Sequence, residues 1–176
     1  MEHIDSYADA LRRGWTGDTG NTKRIEAELK QIADDPELFL ASKDDQQARG
    51  AAIEIADGIF APRIPGYYRW MWDGEVSGSL NFRWQEGTTD LPPYCLGHIG
   101  YSVAPWKQNL GYATEALKQI LIPAKERDMP FVELTTDIDN FASQKVIQNN
   151  GGLLIEEFSK IAEQGGAPSY RWRIYF

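Results

Sequence analysis

The segment from His98 to Gly152 constrains the fold more than any other part of the chain. An alternating stretch, His98 to Val103, runs into Ala104-Pro-Trp-Lys-Gln-Asn-Leu-Gly111, and a helical pattern begins at Tyr112. A second strand, Phe131 to Thr136, and a helix opening on Asn140 follow. A strand that delivers a glycine turn onto a helix N-terminus makes a cradle for phosphate. The first amides of a helix have no partner inside it, and the helix dipole adds partial positive charge there. Gly111 lets the backbone approach a ligand closely, and Ala113 keeps the next turn small. That geometry suits a pyrophosphate. Two familiar nucleotide turns are excluded by spacing, since there is no Gly-x-x-x-x-Gly-Lys-Ser/Thr and no Gly-x-Gly-x-x-Gly after a strand.

At 176 residues the chain reads as one domain, 1–176, with a real core. No apolar run approaches the ~20 residues needed to span a bilayer, and the start, Met-Glu-His-Ile-Asp-Ser, lacks a signal-peptide pattern. The single cysteine, Cys95, cannot form an internal disulfide, so a reducing cytoplasm is expected. The formal net charge of −8 disfavours unspecific contact with nucleic acid or anionic membrane, which relies on Lys and Arg neutralising phosphates. It modestly favours an amine-bearing ligand.

Periodicity supplies the remaining elements. Ile4, Tyr7, Ala8 and Leu11 sit at helical spacing, with Gly14 placed to end the helix. Gly17 to Gly20 reads as a turn. Ile25, Leu29 and Ile32 mark a second helix, and Asp35-Pro36 caps a third that runs through Leu40. Lys43 to Arg49 is polar, and Ala61 to Gly66 is an extended connector. Asp73-Gly74 joins Tyr67–Trp72 to Val76–Arg83 as a β-hairpin. Trp84 to Pro93 is a long polar loop. The helix after Gly111 contains Pro123, which removes a helix hydrogen bond and predicts a bend. Leu153–Ile161 and Tyr170–Phe176 close the chain as a hairpin around Gln164 to Pro168. The expected fold is α/β: a mixed, mostly antiparallel, twisted central sheet with helices on both faces.

The turn segment resembles the acyl-CoA-binding signature of GNAT-type N-acetyltransferases, Gln/Arg-x-x-Gly-x-Gly/Ala, here Gln108 to Ala113. The strand Gly97-His-Ile-Gly-Tyr-Ser-Val103 stands where the family's fourth strand does. Asn140-Phe-Ala-Ser143 through Gly151 is similar to the family's Asn-x-x-Ala/Ser…Gly motif. The resemblance, to a bacterial branch of the family, runs from about Tyr67 to the C-terminus. It implies that the backbone of Leu110, Gly111, Tyr112, Ala113 and Thr114, with Gln108 and Asn109, holds the pyrophosphate of acetyl-CoA. It also implies that the strand edge at Tyr101, Ser102 and Val103 pairs with the pantetheine arm where two strands splay. Asn140 would reach the arm while capping its helix, Ser143 would meet the sulfur or the arm, and Lys145 would meet a phosphate. Many members carry basic residues inside the turn; this chain has Gln108, Asn109 and Leu110 there.

Acetyl transfer from a thioester to an amine needs the thioester positioned, its carbonyl polarised and the amine delivered neutral. No metal is required. The family's frequent acid, a tyrosine seven residues beyond the motif asparagine, is Ile147 here. Thiolate protonation then falls to Ser143, Tyr101 or water, or is unnecessary. His98 stands where related sequences often place a glutamate, and an imidazole can relay an amine proton through water. Glu133 on the neighbouring strand is the alternative base. Tyr67, Tyr68, Trp70, Trp72 and Trp84 either line an acceptor pocket or pack a core. The resemblance implies an acetyl-CoA-dependent N-acetyltransferase whose acceptor is a primary amine, a small molecule ahead of a protein. A catalytically idle acyl-CoA-binding module is the alternative, and exposed hairpin or C-terminal strands could support a homodimer.

Overall fold

The computed structural model describes residues 3–17, 22–56, 58–160 and 166–176. Most of the predicted turn at Gly17 to Gly20, and part of the last hairpin's loop, lie outside them. Three helices come first: α1 (Ile4–Arg12), α2 (Thr22–Asp34) and α3 (Pro36–Ser42). Asp35 caps α3 by accepting the Leu38 N–H at 2.8 Å, with Pro36 in the first turn, where its missing donor costs nothing. Glu28 on α2 is 6% exposed and binds Tyr7, Arg24 and Lys43, tying the three helices together. Burial pushes its pKa up, but Lys43 and Arg24 outweigh that and hold it below the usual value.

The strands β1 (Asp44–Asp45), β4 (Gly66–Trp72), β5 (Val76–Arg83) and β6 (Ile99–Val103) form one antiparallel sheet in the order β1-β4-β5-β6. Along the chain between β1 and β4, a separate small hairpin is formed by β2 (Ile53–Ala56) and β3 (Ile59–Ala61). A second sheet, β7-β9-β8, comprises β7 (Phe131–Asp137), β8 (Leu153–Ser159) and β9 (Pro168–Tyr175). One helix connects the two sheets, α4 (Tyr112–Lys125) between β6 and β7, and a second, α5 (Phe141–Asn149), joins β7 to β8 within the second sheet. Pro123 sits in the last turn of α4, and the helix continues through it.

Alternation along β4 assigns the two faces. Tyr67 and Met71 join Leu80, Phe82, Ile99, Leu117, Ile120, Val132, Leu134 and Trp172 in a core under α4. Trp70, with the opposite parity, stacks on Tyr7 at 4.6 Å in a second core with Trp15 and Phe39 beneath the N-terminal helices. The expected helices on both faces are therefore present. Most of the hairpin aromatics pack: Tyr67 and Trp84 are buried, Trp70 is covered by α1, and Trp72 is 42% exposed. On β8, Leu153, Leu154 and Ile155 are exposed.

Candidate functional site

Where β6 meets β7 the two sheets touch and then part. His98 N–H donates to Glu133 C=O at 2.8 Å, and no ladder joins the strands beyond it. Arg83 N–H donates to His98 C=O, and Ala104 N–H to Ser77 C=O. Antiparallel pairs alternate their bonding direction, so the His98 carbonyl and the main chain of residues 100, 102 and 104 face β5. The main-chain groups of Tyr101 and Val103 consequently turn toward β7, into the gap. On the far side, the same alternation between β7 and β9 turns Thr135 and Asp137 toward it. This V is the splay that the family resemblance implies.

The V opens onto the turn heading α4. Asn109 and Gly111 take left-handed backbone, with φ of 62° and 87°. Gly111 is the N-cap and offers no side chain, and the first helical bond runs from Glu115 N–H to Gly111 C=O at 3.1 Å. The N–H groups of Tyr112, Ala113 and Thr114 therefore have no acceptor within the helix and point at the cleft. α5 forms the opposite wall. Asn140 Oδ1 caps it by accepting the Ser143 N–H at 3.0 Å, and the Asn150 amide bonds Thr114 C=O at 3.2 Å, joining α5 to α4.

The resulting cleft, about 560 Å³, is lined by Tyr101, Ser102, Val103, Gln108, Asn109, Gly111, Tyr112, Ala113, Thr114, Asn140, Ser143 and Lys145. Of the residues expected around acyl-CoA, Leu110 alone does not line it; its side chain is 64% exposed, which leaves only its backbone to contribute. Lys107, Ala142, Val146 and Asn149 also line it. The last three follow from helical spacing around Asn140 and Ser143. Ser102 contributes less than expected, because its hydroxyl accepts from the Trp15 indole at 3.0 Å and its main chain faces β5.

Lys107 is anchored away from the turn. Its ammonium contacts Asp73 at 2.8 Å and Glu75 at 2.9 Å, and the Tyr112 hydroxyl also binds Asp73. These bonds hold the Asp73 carboxyl well below the usual carboxylate range and raise the Lys107 pKa. Thus the β4–β5 hairpin braces both ends of the turn, a contact across 34 and 39 residues that no local pattern signals.

The two expected bases stand elsewhere. His98 is fully buried and does not line the cleft; its Nδ1 accepts the Glu133 N–H at 2.9 Å. Nε2 makes no hydrogen bond of good geometry, although the Thr89 carbonyl is close enough to favour the charged ring slightly. Burial lowers the imidazole pKa to about 4, against the opposing pull of Glu133. The Glu133 carboxylate is held between Arg171 and Arg173, at 3.2 Å and 2.7 Å, facing the 89–96 loop. Neither side chain lines the cleft, because one is sealed between strands and the other is engaged on the second sheet. Ile147 belongs to the core under α4, 1% exposed. Tyr101 and Ser143 do face each other across the cleft. The Tyr101 hydroxyl donates to Ser143 C=O at 3.2 Å, and burial pushes the phenol up to about 12.

A profile of the acetyltransferase (GNAT) domain matches residues 14–152. The sequence matches no curated protein. Among solved structures, the microcin C7 self-immunity acetyltransferase MccE, in complex with acetyl-CoA and AMP, is similar with a TM-score of 0.57 at 11% identity, over 99% of this chain and 88% of that one. A putative GNAT-family acetyltransferase from Bordetella pertussis gives 0.52 at 15%, over 96% and 87%. RimJ from Mycobacterium smegmatis, in complex with CoA-disulfide, gives 0.51 at 23%, over 62% and 53%. The chain spans under two thirds of some neighbours, 62% of a probable acetyltransferase and 53% of RimJ. At these identities the likeness reports the fold, and no described helix is long and apolar enough to cross a membrane. With the domain profile covering most of the sequence and the fold agreeing, the chain belongs to the GNAT acetyltransferase family.

Proposed function

We propose that the chain moves an acetyl group from acetyl-CoA to a primary amine by direct attack within a ternary complex, a small-molecule amine ahead of a protein amine. One observation carries this reading: the unladdered V between β6 and β7, opening at a left-handed turn whose helix amides lack acceptors. The diphosphate rests on the amides from Leu110 to Thr114, flanked by Gln108 and Asn109. The arm pairs with the main chain of Tyr101 and Val103, with Asn140 and Ser143 on the opposite wall and Lys145 near a phosphate. A neighbour of the same fold binds acetyl-CoA, which supports that co-substrate.

In the reaction the amine nitrogen bonds the thioester carbonyl carbon and the C–S bond breaks, the electron pair leaving on sulfur. Protonation of that sulfur is assigned to Tyr101, kept protonated by its raised pKa, or to Ser143, both of which line the cleft. The amine proton leaves through water, since neither His98 nor Glu133 reaches the cleft. The core position of Ile147 favours a second reading, an acyl-CoA-binding module that does not turn over. Calorimetry with CoA, followed by CoA release from acetyl-CoA across a panel of amines, separates them. Binding with release on at least one amine is expected. Binding without release on any amine supports the module, and no binding at millimolar CoA defeats both.

A further inference from the structure

β6 and β7 separate at a single residue. Regular parallel pairing about Glu133 would give its N–H to the Leu96 carbonyl and the Thr135 N–H to the His98 carbonyl. Both acceptors are diverted: Leu96 C=O takes the Thr135 hydroxyl at 2.6 Å, and His98 C=O takes Arg83 N–H from β5 at 2.9 Å. The N–H of Glu133 goes instead to the imidazole Nδ1 of His98, at 2.9 Å. A side chain thus occupies the place of a ladder carbonyl, and the next N–H along β7, that of Thr135, is the first without a partner on β6.

We infer that His98 is a positioning residue whose imidazole terminates the β6–β7 pairing and so sets where, and how widely, the groove for the acyl-CoA arm opens. This rests on the proposed acyl-CoA site. Three further facts fit the role. The ring has no exposed surface, so packing holds it between the strands. Its neutral form carries the proton on Nε2, leaving the Nδ1 lone pair to accept, and burial keeps it neutral at physiological pH. Gly97 permits the close approach, since a Cβ there would lie 2.9 Å from Glu133 O.

Asparagine at this position puts its Oδ1 where the imidazole has Nδ1, whereas alanine leaves nothing. In His98→Asn the exchange rate of the Glu133 amide and the Kd for CoA should both stay within about threefold of the parent. In His98→Ala the amide should exchange at least tenfold faster and CoA should bind at least fivefold more weakly. The inference is overturned if His98→Ala keeps both properties, or if His98→Asn loses them as alanine does. Should the alanine variant not fold, the asparagine variant decides alone. If the parent binds no CoA, the acyl-CoA reading fails by itself, and Glu133 exchange still supports or overturns the role of the imidazole in ending the β6–β7 pairing.

Discussion

Burial of the His98 ring has a thermodynamic consequence that is separable from its role in the splay. The unfolded chain takes up a proton on this histidine below about pH 6.5, while the folded protein does so only near its lowered pKa of about 4. The unfolded state therefore binds more protons between those values, and stability falls as pH drops through that window. Glu133, Arg83 and Arg173 face the same ring and act on its charge in opposing senses. Urea unfolding at pH 7 and pH 4.5 should show the parent losing about 2 kcal/mol more than His98→Asn, which has no imidazole to titrate. Equal losses would mean that the ring is solvated. Carboxylate pairs weaken over the same range in both proteins, so the difference isolates His98. Ile147 shows a second single-residue constraint. A Cβ on Gly152 would lie 2.2 Å from its Cγ2, so the packing of this side chain requires glycine at 152, just past the left-handed Gly151 that follows α5.

At the scale of elements, Asn140 can be tested for more than capping. Its Oδ1 holds the first turn of α5, and losing such a cap costs about 1 kcal/mol. Asn140→Asp keeps the acceptor but removes the side-chain N–H donors that would face the arm. We expect thermal stability within about 2 °C of the parent and CoA affinity at least threefold weaker; unchanged affinity would reduce Asn140 to a cap. The motif elements were legible because each carries local chemistry: Asp73-Gly74 for the β4–β5 hairpin, Asp35-Pro36 for α3, Gly111 and Asn140 for the two helix starts. The hairpin Ile53–Ala61 was not, because its large apolar residues are few and two of them, Ile59 and Phe60, are exposed, so no burial period shows. The cleft walls were legible for the same local reason. The fate of His98 was not, since its place just before β6 does not say that its ring turns toward Glu133. Nor was the brace from Asp73 to Lys107 and Tyr112, which depends on hairpin and turn meeting in space.

For the molecule as a whole, the question is how a chain of net charge −8 binds a polyanion. Long-range attraction cannot supply the affinity, because the overall field repels phosphates. The nearby Lys107 is already neutralised by Asp73 and Glu75, and no arginine lines the cleft among the described residues. Besides Lys145, what remains is short-range: unpaired helix amides and the dipole of α4, which act within the first turn and are screened little at contact distance. Salt dependence separates the two kinds of binding. A site built on exposed Lys and Arg loses affinity steeply as the Debye length shrinks from about 30 Å at 0.01 M to about 10 Å at 0.1 M. Here added salt also screens the repulsion from the protein's own acidic surface, so the two effects oppose each other. CoA titrations at 10 and 300 mM NaCl should therefore give Kd values within about twofold. A tenfold weakening at the higher salt would assign the phosphates to side-chain cations such as Lys145, and the amide cradle at Leu110–Thr114 would lose its place in the site.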